Sequence, residues 1–405
     1  MTKRIRLTLI SISCFLLFYL IIGGLLGKNE SATEDKAYRD LGVYSEVLTR
    51  IKHDYVTEPN LTKVTDGAIR GLLEALDPYS TYFTPEQYQA YLQQPEPGPA
   101  SVGLFAAKRL GFATVVSVLP GSPAEKAGIK VGDLLDLVEG KSTRELSVVQ
   151  IMRVLAGPVG STVTLAVVRE ARGEPQKMTL TRVALSYPPV ITKMIDDTAY
   201  LRVATFNPGK AAELAAKLKE FSAQGAKKVV LDLRNCAGGE PPEAIDTANL
   251  FLDQGLITYV TGQRYAREDV SAKASKQVWR LPLAVLINQS TAGPAELVAS
   301  AILGNKRGEV VGTRSFGVGV VQKLIPVGDG SAILLSVAKY YGPNGKAILD
   351  NGVTPSVIQP AGQETASLDD ENEQEVPEQF GGKDDLQLQK AIEILKQGSA
   401  PAKVA

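Results

Sequence analysis

Histidine is almost missing from this chain: His53 is the only one among 405 residues. A two-histidine zinc helix or a histidine acid/base pair cannot be built from it. A Ser-His-Asp triad would rest on His53 alone. Cysteine is nearly as scarce. Cys14 lies inside an N-terminal apolar run and Cys236 far downstream, so no intramolecular disulfide is expected. Net charge is absent too, with 44 Lys+Arg against 44 Asp+Glu. Without a basic face there is no reason to expect a nucleic-acid partner. Nothing calls for a metal or a cofactor. What remains is a chain with 44% apolar residues, enough for roughly two to three domains with real cores.

The N-terminus carries Lys3, Arg4 and Arg6 ahead of an uncharged apolar stretch from Leu7 to Gly27, closed by Lys28. Roughly 20 such residues span a bilayer as a helix. Residues 1–27 therefore read as an uncleaved signal anchor, with a cleaved signal peptide as the alternative. The basic flank leaves residue 28 onward outside the cytoplasm, in a bacterium the periplasm or cell exterior.

After a polar tether at 28–37, Leu41, Tyr44, Val47, Leu48, Ile51 and Tyr55 recur at helical spacing. His53 falls off that stripe beside Lys52 and Asp54, so a surface histidine is the simpler reading. A second helix, from about Thr65 to Leu76, stops at Asp77-Pro78, and a third opens at Thr84-Pro85-Glu86 with Thr84 as N-cap. Residues 38–94 thus form a helical region. The proline-rich run Gln93 to Ala100 reads as a linker.

Residues 99–183 change character. A strand Phe112–Leu119 precedes Gly121-Ser122-Pro123-Ala124-Glu125-Lys126-Ala127-Gly128-Ile129, then Gly132-Asp133, a helix from about Ser147 to Leu155 and a strand Thr162–Arg169. Gly128 suits a left-handed helix terminus, and Gly132-Asp133 a turn. This order resembles a PDZ domain. The resemblance implies that an extended peptide adds beside Val102, Gly103, Leu104, Phe105 and Ala106, facing Val148, Ile151, Met152 and Leu155. The alternative is that these apolar groups are the domain's own core.

From residue 186 to 360 strands alternate with helices, which argues an α/β layered core. Expected strands are Ala199–Thr205, Lys228–Arg234, Leu283–Asn288, Val320–Pro326 and Ser331–Tyr340, with helices at Lys210–Gln224, Pro242–Leu252 and Pro294–Leu303. Residues 361–405 hold an acidic stretch, Glu364 to Glu378, that reads as a disordered linker, and a final amphipathic helix Leu386–Leu395 that either docks or stays free.

Three segments of the core carry chemistry. They are Asp232-Leu233-Arg234-Asn235-Cys236-Ala237-Gly238-Gly239, then Asn288-Gln289-Ser290-Thr291-Ala292-Gly293-Pro294-Ala295-Glu296, then Gly312-Thr313-Arg314-Ser315-Phe316-Gly317-Val318-Gly319-Val320-Val321-Gln322. In this order, behind a PDZ-like region, they resemble the carboxyl-terminal processing (tail-specific) serine proteases. Leu76-Asp77-Pro78-Tyr79-Ser80 and Gly352-Val353-Thr354-Pro355 are similar to that family as well. The resemblance implies a ClpP/crotonase-like α/β core with an inserted PDZ domain. It also implies a Ser-Lys dyad assisted by glutamine, which needs no histidine. A serine hydroxyl requires a neighbouring base, and lysine serves when burial leaves its amine neutral.

Laid on this sequence, the pattern puts the nucleophile at Gly293 and the lysine at Val318, 25 residues apart; only Gln322 keeps its identity. Gly238, Gly239 and Pro294 fall in the oxyanion-hole region, and proline has no N–H to donate. Nucleophile, base and one oxyanion donor are gone. Ser290, Thr291, Lys323 and Cys236 are the candidates for a rescue, each lacking either position or partner. The expected protein is a pseudoprotease that binds protein C-termini or unstructured peptides as a regulator or adaptor in the cell envelope. It would be held to the membrane by its anchor and assemble with itself or an active relative. The alternatives are an active serine-type endopeptidase with a relocated nucleophile, and a structural envelope protein.

Overall fold

A computed structural model describes residues 15, 18, 39–93, 98–109, 111–169, 173–362 and 380–398. The apolar run of the expected anchor, apart from the helical positions Phe15 and Phe18, and the acidic stretch Glu364 to Glu378 lie outside the described residues. Among the described residues no helix is long and apolar enough to cross a membrane. The chain divides into two units at Gly71–Leu72.

In the first unit, residues 39–54 are helical, with His53 exposed. A second helix, Leu61–Glu74, which continues past the division, begins four residues earlier than the apolar pattern suggests, because Asn60 Oδ1 accepts from Lys63 N at 3.0 Å and caps it. Leu41 and Val47 of the first helix stay exposed.

The second unit is built on a six-stranded sheet ordered Ile191–Ile195, Thr198–Arg202, Lys228–Asp232, Leu283–Ile287, Glu309–Gly312 and Val357–Ile358. The first pair is antiparallel and the rest are parallel. Helices Lys210–Ala223, Pro241–Asn249 and Pro294–Gly304 make the crossovers and share one core with one face of the sheet. Their common side follows from the fixed handedness of such connections. Leu283–Ile287 is buried at every residue, which is why it reads as a continuous apolar run.

The other face of the sheet is covered by the C-terminal helix Leu386–Gln397, whose Leu388, Ala391 and Leu395 pack on Tyr200, Val230, Ala284, Leu286 and Val311. Each buried leucine there contributes about 2 kcal/mol. A bidentate pair fixes the docking: Arg234, 2% exposed, holds Asp385 at 2.8 and 2.6 Å and Asp232 at 2.5 and 2.9 Å. Of the two fates open to this helix, docking is the one adopted.

A second sheet runs in the order Thr81–Phe83, Ala332–Tyr341, Leu256–Thr261 and Glu268–Ser271, with Val320–Pro326 paired along the strand Ala332–Tyr341. The PDZ region folds around the strands Leu104–Arg109, Phe112–Val118, Leu134–Val138, Thr162–Val168 and Gln176–Thr181. Its helix Val148–Leu155 opens with a reciprocal cap between Ser147 and Gln150, and Gly128 takes φ +77° just past the short helix Pro123–Lys126. Thr84 likewise caps Pro85–Gln93, accepting from Gln87 N at 3.3 Å while Gln87 Oε1 accepts from Thr84 N.

Candidate active site

Each of the three chemical segments leaves the carboxyl end of a core strand or lies beside one, and backbone bonds lace them together. Asn288 Oδ1 accepts from Asn235 N at 3.0 Å and Ser290 N at 3.1 Å. Thr291 Oγ1 donates to Leu233 O, Ala292 N to Cys236 O, and Phe316 N to Thr291 O. The lacing is complete without any reactive group.

Gly293 sits at the elbow between strand and helix with φ +63° and ψ −120°, and a Cβ built on it meets no heavy atom within 4 Å. The seat for a side chain is open, and none occupies it. Pro294 starts the helix at its first position, where its missing N–H costs nothing to helix bonding. Glu296, fully buried, gathers the surroundings. Its Oε2 accepts from Gly293 N at 2.9 Å and Val318 N at 2.8 Å, and its Oε1 from Gly317 N at 2.8 Å and Ser315 Oγ at 2.5 Å. Burial pushes the Glu296 carboxyl up to about 7, while those four donors pull the other way.

Val318, half-buried, joins two apolar clusters. One holds Phe105, Ala107 and Val116 of the PDZ domain with Ala237, Ala292 and Phe316 of the core. The other holds Val148 and Met152 of the PDZ helix with Tyr79, Leu349 and Val320. A lysine in that setting would have carried its amine into an apolar seam; valine completes the seam instead. Ser117 Oγ of the PDZ domain also donates to Asn235 O at 2.9 Å. Gln322 Nε2 donates to Tyr79 O at 2.9 Å, so its amide serves the backbone of the helical region's exit.

Gly238 and Gly239 both have positive φ, and their N–H groups find no hydrogen-bond partner among the described residues. Pro294, across from them in the expected oxyanion-hole region, has no N–H to donate. Thr291 is fully buried with its hydroxyl in use, and Ser290 is 3% exposed. Cys236 lies in the main core, where burial drives its thiol upward and away from the thiolate. A bulge between Val321 and Gln322 breaks the register, and Lys323 lines a separate cavity rather than this cleft.

The peptide-binding assignment is redistributed by the fold. Val102, Leu104, Ala106, Ile151 and Leu155 belong to the PDZ domain's own core, because the alternation of the strand and the apolar stripe of the helix turn them inward. Phe105, Val148 and Met152 face outward and pack on the protease core, while Gly103 lies against Ser122. The edge of the strand Leu104–Arg109 that does not pair with Phe112–Val118 has no strand partner among the described residues.

One residue escaped the sequence reading. Lys108, on that edge strand, lines a cavity of about 370 Å³ beside Gln289, Phe316 and Gly317. Burial lowers its amine's affinity for protons and Glu74, 3.6 Å away, opposes this, while Nζ donates to Arg144 O. An alternating strand offers no local signal that its polar member will be buried against a distant cleft.

With the geometry in place, the family is plain. Residues 197–358 match peptidase family S41 and residues 114–169 match a PDZ domain. The chain is 30% identical over 358 residues to the carboxy-terminal-processing protease of Bartonella bacilliformis, covering 87% of this chain and 79% of that one. It is 31% identical over 356 residues to the carboxy-terminal processing protease CtpA of Bacillus subtilis, with 87% and 75% covered. The solved structure of a photosystem II D1 C-terminal processing protease superposes with a TM-score of 0.63 at 28% identity, over 78% of this chain and 92% of that chain. The protein belongs to the S41 peptidases, in the group of PDZ-bearing carboxy-terminal processing proteases.

Proposed function

We propose that this chain is a pseudoprotease of the S41 family, which binds extended peptides and protein C-termini and acts as a regulator or adaptor. The observation that carries the reading is the pairing of Gly293 with Val318 around Glu296. The scaffold of the site is kept, and the groups that would do chemistry are not. A serine-type mechanism needs a hydroxyl beside a usable base, and neither is present at the position the scaffold prepares. Membrane attachment through residues 1–27, an orientation toward the periplasm or cell exterior, and assembly with itself or an active relative belong to the same proposal. The attachment and its orientation are supported by the basic residues Lys3, Arg4 and Arg6 ahead of an apolar run.

Peptide capture is assigned to the unpaired edge of Leu104–Arg109, with Phe105, Val148 and Met152 as the side chains to be uncovered. Calorimetry of the full-length protein with a peptide ending in apolar residues tests it. Binding that is lost when the terminal carboxylate is amidated, with the peptide recovered intact, is the expected result. No binding, or a peptide recovered in pieces, overturns it.

A further inference from the structure

On the second sheet lies another cavity, of about 810 Å³. Lys323 and Lys339 on its strand pair and Arg264 on the loop between Leu256–Thr261 and Glu268–Ser271 all line it. None of these three cations makes an ion pair or hydrogen bond among the described residues. The acid in the wall, Asp77, is fully engaged: Oδ1 accepts from Tyr79 N and Ser80 N, and Oδ2 from Ser80 Oγ. Glu268, close by, is hydrogen-bonded to the Tyr265 hydroxyl. The remaining lining is substantially apolar: Val337 and Ala338 lie between the two lysines along the ladder, Leu335 is level with Lys323, and Ile325 lies beyond it.

The spacing of the cations describes the occupant. Lys323 stands opposite Leu335, and Lys339 opposite Val320 and Thr261, so the two lysines are rooted three to four residues apart along the ladder. At the rise of a strand this is about 10–13 Å of backbone. Charges rooted at that spacing suit carboxylates three or four residues apart on an extended chain better than one compact anion. Apolar side chains between them would meet Val337 and Ala338. We infer that this cavity binds acidic peptide segments in extended form, carboxylates on Lys323, Lys339 and Arg264 and apolar side chains on the floor between them. Such binding needs no terminal carboxylate.

Fluorescence anisotropy of the full-length protein in a non-ionic detergent tests it, with a short labelled peptide alternating Glu and Leu and amidated at its C-terminus. Amidation removes the group the PDZ proposal relies on, so the two readings fail separately. The acidic peptide should bind more weakly as salt is raised, and its Gln counterpart should bind about tenfold more weakly. The Arg264→Glu, Lys323→Glu, Lys339→Glu protein should lose the acidic peptide by about tenfold or more with an unchanged melting temperature, since all three side chains are exposed. Equal binding of the Gln peptide, retained affinity in the charge-reversed protein, or no binding at all overturns the inference.

Discussion

Gly293 and Val318 donate their backbone N–H groups to the same atom, Oε2 of Glu296, at 2.9 and 2.8 Å. The two positions at which the resemblance places a Ser-Lys dyad are thus pinned to one buried carboxyl, and they carry glycine and valine. The scaffold survives because it is structural in its own right. Three backbone donors and Ser315 Oγ have no other acceptor for these bonds, so the carboxyl is needed whether or not catalysis occurs.

Replacing that carboxyl should therefore be costly. Glu296→Ala strands three N–H groups, that of Gly317 buried and those of Gly293 and Val318 half-buried, and a loss of about 2–3 kcal/mol is expected from the unsatisfied donors. Urea denaturation followed by tryptophan fluorescence measures it, through the buried Trp279. A loss under about 1 kcal/mol would show that the pin holds nothing together.

The same group predicts a pH dependence. Glu296 is raised from an unfolded value of 4.5 to about 7, chiefly by burial. Its folded form holds the proton more tightly than the unfolded chain. The contribution to stability is therefore full below about 4.5 and falls as pH rises to about 7, by at most about 1.4 kcal/mol per unit. Denaturation midpoints of the native protein and Glu296→Gln, compared across this window, isolate the slope. A contribution from Glu296 that grows with pH through the window would contradict the assignment.

Two glycines separate backbone strain from steric conflict. Gly293→Ala adds a Cβ into open space at φ +63°, so only the conformational cost, about 1–2 kcal/mol, is expected. Gly239→Ala places a Cβ 2.3 Å from the Phe206 carbonyl carbon, which demands backbone movement. Its melting temperature should fall several degrees further than that of Gly293→Ala. Equal falls would mean the elbow at Gly293 is as crowded as the turn at Gly239.

Val318→Lys tests the seam between the PDZ domain and the core. A cation set among Phe105, Val116, Ala292 and Met152 loses the valine's burial and leaves an ammonium poorly hydrated, costing about 2 kcal/mol at the contact. Hydrogen exchange should speed up in residues 104–109 and 148–155, with the six-stranded sheet unchanged. Unaltered exchange in both segments would show that Val318 does not help hold the PDZ domain in place.

Much of this molecule was legible in its residues. Local grammar located the cap at Thr84 and the helix starts near Ser147 and at Pro294, and the two empty positions stood out because Asn288, Glu296, Phe316 and Gly317 frame them. What stayed hidden depends on contacts far apart in the chain. Glu296 reads locally as a favourable acid at a helix start, yet three of its four donors, on Ser315, Gly317 and Val318, come from another segment. The C-terminal helix is held by Arg234, 151 residues away from Asp385. Strands such as Leu256–Thr261 and Glu268–Ser271 lack a clean alternation, and their pairing is settled by the partner strand Ala332–Tyr341 rather than by their own pattern. Which groove residues turn into the PDZ core was hidden for a related reason: an apolar strand residue looks the same whether it faces its own core or a ligand.

The central claim is the loss of peptidase activity, and incubation of the purified full-length protein with an unstructured protein substrate tests it most directly. The substrate should remain intact on gel electrophoresis over a time in which an active S41 relative degrades it. Time-dependent cleavage that disappears in Ser290→Ala or Lys108→Ala would contradict the account, by showing that a hydroxyl and an amine elsewhere in the cleft have taken over the work of positions 293 and 318.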